Sequence, residues 1–288
     1  MTGRMKLDLG TFLVQWAAGG MLFGWVTTRG RLVSLGYGWL LRAVYGVMAI
    51  TAIAVWSRSA HDARHIASMA AAAATAVAAL FGIGLSAVRR RAGVSGRREL
   101  DRTRRARVAE MTGREADDDS YAAREFPPIV DLLAAGLGFA TILAATPISG
   151  GTFWVAALRL VVGACLLGAV SDAMLLGHWY LTQPGLPRDP LQELVKWTAI
   201  VTPLAIVTWM IPTGMTAVFS GQINDGFSGL LGWVWVVSGA STLLLVGATW
   251  LALKERFYSA VMAATGLLYL AILTAFGIDL VARAVLSP

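Results

Sequence analysis

Two groups of residues in this chain have types and spacing suited to chemistry. The first is Asp172 followed by His178, Trp179 and Tyr180. A histidine at a membrane edge titrates near neutral pH and can exchange protons with water. Two aromatic walls and a carboxylate nearby suit a flat, lipid-borne ligand with a polar head, such as a quinone. Asp172 and His178 are six residues apart, about 120° out of alignment and about 9 Å along a helix axis. That spacing lets both line one cavity without touching. The same aromatic pair also fits the belt of Trp and Tyr found at the ends of membrane spans, so both readings stand.

The second group is His61 and His65, four residues apart, with Met210 and Met215 flanking Pro212. Histidines at i and i+4 on a helix can share one metal, and soft methionine ligands suit copper. Arg64 lies between the histidines and disfavours a cation, so plain packing is the competing reading.

Isolated charges inside apolar runs form a third set. Arg42, Arg159 and Asp279 lie within such runs, whereas Asp131 and Arg283 fall near their ends. Ionisable groups in a bilayer are costly and mark function or a structural pair. Arg159 falls about 10 Å deep by helical rise. Arginine stays charged at any relevant pH, so this one requires an acid, carbonyls, water or an anionic ligand. Asp279 is one expected partner.

These residues must be held by long apolar elements. Hydrophobic residues make up 57 % of the chain and charged residues only 14 %. Arginines and acids crowd into an insert at 89–126: residues 89–107 carry nine Arg, and 108–125 carry six acids. A bilayer core about 30 Å thick takes about 20 apolar residues per helix. The chain supplies eight such runs, expected at 9–28, 34–56, 64–88, 128–147, 152–180, 194–218, 227–252 and 257–284. The fold class expected is therefore an all-α, polytopic membrane bundle of about eight transmembrane helices. Residues 1–88 would hold helices 1–3, 89–127 a charged loop, and 128–288 helices 4–8. The run from Thr11 to Val26 reads as a retained span, since no small-residue cleavage site follows it. Leu41–Gly46 and Leu158–Gly163 share a short echo on spans that would run in opposite directions, the arrangement of an inverted repeat.

The arginine cluster predicts a cytoplasmic loop by the positive-inside rule. Both termini would then face outside, in the cytoplasmic membrane of a bacterium. With so little soluble surface, the net charge of +7 reads as this orientation signal rather than as a nucleic-acid site. The insert serves as a solvated linker beside anionic headgroups or as a docking arm for a soluble partner.

The chain has three histidines and one cysteine, Cys165. His61 and His65 share a helix face, and His178 falls at the opposite membrane side, so an ordinary bis-histidine haem is not expected. No covalently bound cofactor is expected, and quinone is the one the residues suggest. Neither a phosphate-binding loop nor a dinucleotide fingerprint is present. Three functions remain open: a cofactor-free, quinone-interacting membrane subunit of a redox complex; a small-solute or metal transporter; and a structural or assembly protein that docks a cytoplasmic partner. Membrane lipids, other membrane or redox-complex subunits and further copies of the chain are the expected partners.

Overall fold

The structure, a computed structural model, describes residues 6–58, 62–89, 102–103, 126–183, 186–255 and 257–287. Eight helices among these are long and apolar enough to cross a membrane, and no strand occurs among the described residues. The chain is an all-α, multi-pass membrane bundle. Its helices are α1 (Leu9–Thr28), α2 (Leu35–Trp56), α3 (Ala63–Val88), α4 (Ile129–Ser149), α5 (Phe153–Thr182), α6 (Asp189–Met210), the short α7 (Gly214–Phe219), α8 (Leu230–Lys254) and α9 (Tyr258–Leu286). Helix is the form these runs must take, because lipid offers no partner to a free backbone N–H or carbonyl.

Short polar residues set the helix ends. Asp8 caps α1: its Oδ2 accepts from the Thr11 amide at 2.7 Å and also from the Trp56 indole at 2.9 Å. One carboxylate thus starts α1 and ties it to the end of α2. Pro190 sits in the first turn of α6, where its missing N–H costs nothing. For that reason α6 begins at Asp189, five residues before the expected start. It also ends earlier than expected, at Met210, because Pro212 cannot continue the helical hydrogen bonds. The chain resumes as α7.

Helix packing divides the bundle into two rings of four. In the first, α1 packs on α2 and α4, and α3 packs on α2 and α4. In the second, α5 packs on α6 and α9, and α8 packs on α6 and α9. The order is the same, with α1 matching α5. A hydroxyl pair links the third and fourth helices of each ring, Thr75 with Thr141 at 2.9 Å and Thr242 with Thr274 at 2.8 Å. Residues recur in register as well. Gly19, Leu22, Gly24 and Val26 of α1 match Gly163, Leu166, Gly168 and Val170 of α5. Gly136, Ile142, Leu143 and Ile148 of α4 match Gly266, Ile272, Leu273 and Ile278 of α9. This is a tandem arrangement, in which matched helices run the same way. The echo between Leu41–Gly46 and Leu158–Gly163 joins α2 to α5, which are not counterparts, so the expected inverted repeat is replaced by a parallel one.

The rings join where α1 crosses α5. A Cβ on Gly19 would stand 1.7 Å from the Ala164 carbonyl oxygen, and one on Gly168 would stand 2.1 Å from the Gly19 carbonyl carbon. Only bare backbone fits on both sides, as in small-residue contacts between membrane helices. Trp16 adds a hydrogen bond across the crossing, donating Nε1 to Ser171 Oγ at 2.8 Å.

Candidate functional site

The α5 constellation does not converge on one pocket. Consecutive helical residues are about 100° apart, and here three neighbours serve three surroundings. His178 is exposed and bonds the Tyr269 hydroxyl through Nδ1 at 3.0 Å. Trp179 donates to Ser34 Oγ at 3.1 Å, and Tyr180 donates to the Pro187 carbonyl at 2.6 Å. Asp172, higher in the helix, is fully buried toward α2. Its Oδ1 accepts the Tyr45 hydroxyl, and its backbone carbonyl accepts the Tyr37 hydroxyl at 3.1 Å.

The metal set is not assembled by helix packing. His61 lies outside the described residues. His65 bonds Asp62 through both its amide and Nδ1, at 3.0 and 2.6 Å, in the cap of α3. The His65 amide, with its ring, holds the Asp62 carboxyl below its ordinary range. Met215 is completely buried, while Met210 is exposed. Helix α3 packs on α2 and α4, whereas α6 and α7 belong to the second ring. Among the described residues no group of three His, Cys, Asp or Glu is placed to hold a metal.

Buried charges organise the interior. Asp279 pairs with Arg283 of its own helix at 2.7 Å, rather than with Arg159 as expected. Gln15 of α1 joins this pair, accepting from Arg283 and donating to Asp279. Arg159, 1 % exposed, takes the carbonyl option: Nε donates to Thr208 O at 3.1 Å and Nη2 to Ile211 O at 2.8 Å. Those carbonyls end α6, where the helix carries partial negative charge. The guanidinium lies 4.9 Å from the Trp209 ring centre.

Arg42 and Asp131 form the third cluster. Arg42 Nε donates to Asp131 Oδ1 at 2.6 Å, and Nη2 donates to Oδ2 at 2.7 Å. This fork-to-fork geometry is the strong form of the pair. Thr28 of α1 adds a third donor to Asp131 Oδ2 at 2.9 Å. The Phe126 ring covers the guanidinium at 4.4 Å. Two glycines leave room for the side chain: a Cβ on Gly38 would meet Nη1 at 3.0 Å, and one on Gly82 would meet Cδ at 3.1 Å. Arg42 Nη1 is buried and has no hydrogen-bond partner.

Arg42 stands at the junction of two crevices. The inner one, with about 20 Å³ of free space, reaches into the first ring between Gly20, Met21, Gly24, Leu41, Tyr45 and Ala79. The outer one, also with about 20 Å³ of free space, runs past Arg31, Ser34 and Phe126 toward the end of the bundle where α1 stops and α2 starts. Thr28, Gly38 and Arg42 line both. The combined space has small apolar walls and a few convergent polar groups, with room for water-sized occupants.

Sequence reasoning singled out Arg42 but placed Asp131 merely near the end of its run, and passed over Tyr45 and Thr28. One signal was available: Arg42 and Asp131 are opposite charges placed toward the N-terminal ends of two spans that run the same way. The long arginine side chain bridges the difference in depth.

No family model, curated protein or solved structure matches this chain. The fold defines it as a multi-pass membrane protein.

Proposed function

We propose that the protein binds a lipid-borne quinone in the crevice around Arg42, as a membrane subunit of a redox complex. The observation that carries this reading is the unpartnered Nη1 of Arg42 at the junction of the two crevices. A quinone carbonyl is a neutral acceptor that would satisfy that donor. Asp131 already matches the charge of Arg42, so a neutral ligand suits the site better than an anion. The small residues Gly20, Gly24 and Ala79 line the crevice, and a flat ring enters there by moving the side chains around them apart. His178 and Trp179 belong to the edge of the bundle in this reading and are not ligand contacts.

A transporter is the second reading, favoured by the tandem rings. Parallel repeats are one architecture of secondary transporters, with substrate held between the repeats. Against it stands the backbone contact of Gly19 with Ala164 and Gly168, which fills that interface.

The setting we propose is a bacterial cytoplasmic membrane, with the arginine-rich insert, Arg29, Arg31 and Lys254 on the cytoplasmic side. Single cysteines at Ser120 and Asn224, in a Cys165→Ala background, decide the orientation. An impermeant maleimide applied to intact cells should label Asn224→Cys and spare Ser120→Cys.

For the ligand, protein purified in mild detergent is extracted and its quinone measured by mass spectrometry. A short-chain quinone is then added in a thermal-shift assay. The wild type should retain quinone and be stabilised by it. The Arg42→Gln/Asp131→Asn double variant should lose both effects, and His178→Ala should keep them. A wild-type protein that neither carries quinone nor responds to it removes the basis of the reading.

A further inference from the structure

Each crevice beside Arg42 has about 20 Å³ of free space, the room of a single water. A ligand ring therefore needs a seat that a side chain gives up. Two aromatic residues line the crevices, Tyr45 the inner one and Phe126 the outer one. Tyr45 is buried and held in place, because its hydroxyl donates to Asp172 Oδ1. Phe126 is also buried, but it is held by contact alone. Its ring covers the Arg42 guanidinium at 4.4 Å. A phenyl group has no acceptor to offer, so Arg42 Nη1 stays without a partner. Phe126 lies outside the helices, just before Pro127 and Pro128. Those residues fix the local backbone. A residue before proline is extended, and the Val130 and Asp131 amides donate to the Pro127 and Pro128 carbonyls at 3.2 and 3.1 Å. The start of α4, and Asp131 with it, is thus set without the Phe126 ring. The ring can turn about its own side-chain bonds and leave that frame intact.

We propose that Phe126 occupies the seat of the ligand ring, and that a single-ring quinone binds by displacing it from Arg42. This rests on the quinone reading and names the class of quinone and the residue that selects it. A phenyl ring and a benzoquinone ring are both flat and six-membered, so one fits the space that the other leaves. The exchange gains what Phe126 cannot supply. A quinone ring stacks on the planar guanidinium, and its carbonyl accepts from Nη1, which satisfies that buried donor. Arg42 keeps both bonds to Asp131 throughout. The displaced phenyl turns outward along the outer crevice, toward the end of the bundle, where an apolar ring meets the membrane edge. No bond forms or breaks, and no proton or electron moves. A fused two-ring naphthoquinone is wider than the seat and binds less tightly.

The test follows the Phe126 ring itself. 4-Fluorophenylalanine is placed at position 126 alone in the full chain and read by fluorine NMR in detergent, with a water-soluble gadolinium chelate as broadening agent. Without ligand the resonance should stay sharp beside the chelate. At saturating short-chain benzoquinone it should shift and broaden. A resonance that stays protected while benzoquinone binds overturns the exchange and leaves the quinone site standing. Affinities come from thermal-shift titration. Phe126→Ala has the seat already open and should bind benzoquinone about tenfold tighter than the wild type, the factor that a ring–guanidinium contact is worth. Phe126→Leu keeps an apolar cover on Arg42, so it should fold even where Phe126→Ala does not, and should tighten binding by a smaller factor. The wild type should prefer a short-chain benzoquinone to a naphthoquinone, and Phe126→Ala should narrow that difference. Unchanged or weaker benzoquinone binding in both variants, or a wild-type preference for naphthoquinone, overturns the role of Phe126 alone. If benzoquinone binds neither the wild type nor either variant, the site and this role fall together.

Discussion

Removing Asp131 alone should damage the protein far more than removing Asp131 and Arg42 together. Asp131 accepts three hydrogen bonds, two from Arg42 and one from Thr28. Thr28 loses little in Asp131→Ala, because its hydroxyl also donates to the Gly24 carbonyl at 2.9 Å. Arg42 loses much more. Its guanidinium is buried and one nitrogen already lacks a partner, so the variant leaves a charge with only the Phe126 ring against it. Breaking a buried pair in this way costs about 3–5 kcal/mol. Replacing both partners by apolar residues of similar size, Arg42→Met with Asp131→Leu, should cost no more than about 1 kcal/mol, since such replacements are often neutral. The single variants Arg42→Met and Asp131→Leu form a cycle with the double, read from equilibrium unfolding in mixed detergent micelles. The expected coupling is about 5 kcal/mol or more in favour of the pair. A single-variant cost below about 1 kcal/mol would refute the reasoning: the guanidinium would then be solvated through the crevice, and its bare Nη1 would cease to be a reason for a ligand.

Three further outcomes are expected. Gly19→Ala places a Cβ against the Ala164 carbonyl, with backbone on both sides, and should cost at least the 1–3 kcal/mol typical of overpacking, about 3 kcal/mol; Gly247→Ala, where nothing lies within 4 Å, should leave the melting temperature unchanged or raised. Arg159→Ala should lower the melting temperature well beyond an insert variant such as Arg97→Ala, because it strips two donors from the end of α6; equal, negligible effects would mean that Arg159 faces water. The Asp225 carboxyl is held below its ordinary range, first by the Gly229 amide and then by those of Phe227, Leu231 and Gly232. A depressed carboxylate stabilises the loop above its unfolded value of about 3.9, and that contribution fades as pH falls through the lower folded value. Amide exchange at Phe227–Leu231, corrected for intrinsic rates, should speed up over that acidic window and at neutral pH in Asp225→Ala.

Composition and run length alone determine the class of this protein. A chain that is 57 % hydrophobic must place its long apolar runs in lipid, and lipid allows only internally bonded helices there. Hence the eight spans and most of their ends were legible, down to Leu9–Thr28 for the first. The ends of α6 were less so, because Pro190 can start a helix as readily as it can break one, and the apolar run continues past Pro212 into α7. Side-chain partnership was the part that only tertiary structure decided. Arg42, Arg159 and Asp279 announce themselves as costly, but Arg42 finds Asp131 on another helix, Arg159 finds carbonyls that any residue carries, and Asp279 finds Arg283 one turn along its own helix. His178, Trp179 and Tyr180 looked like a site because they are adjacent in the chain, yet helical geometry turns adjacent residues apart. Arg42, Asp131, Thr28 and Tyr45 are separated in sequence, and they meet because α1 packs on both α2 and α4 while Gly38 and Gly82 make room for one guanidinium.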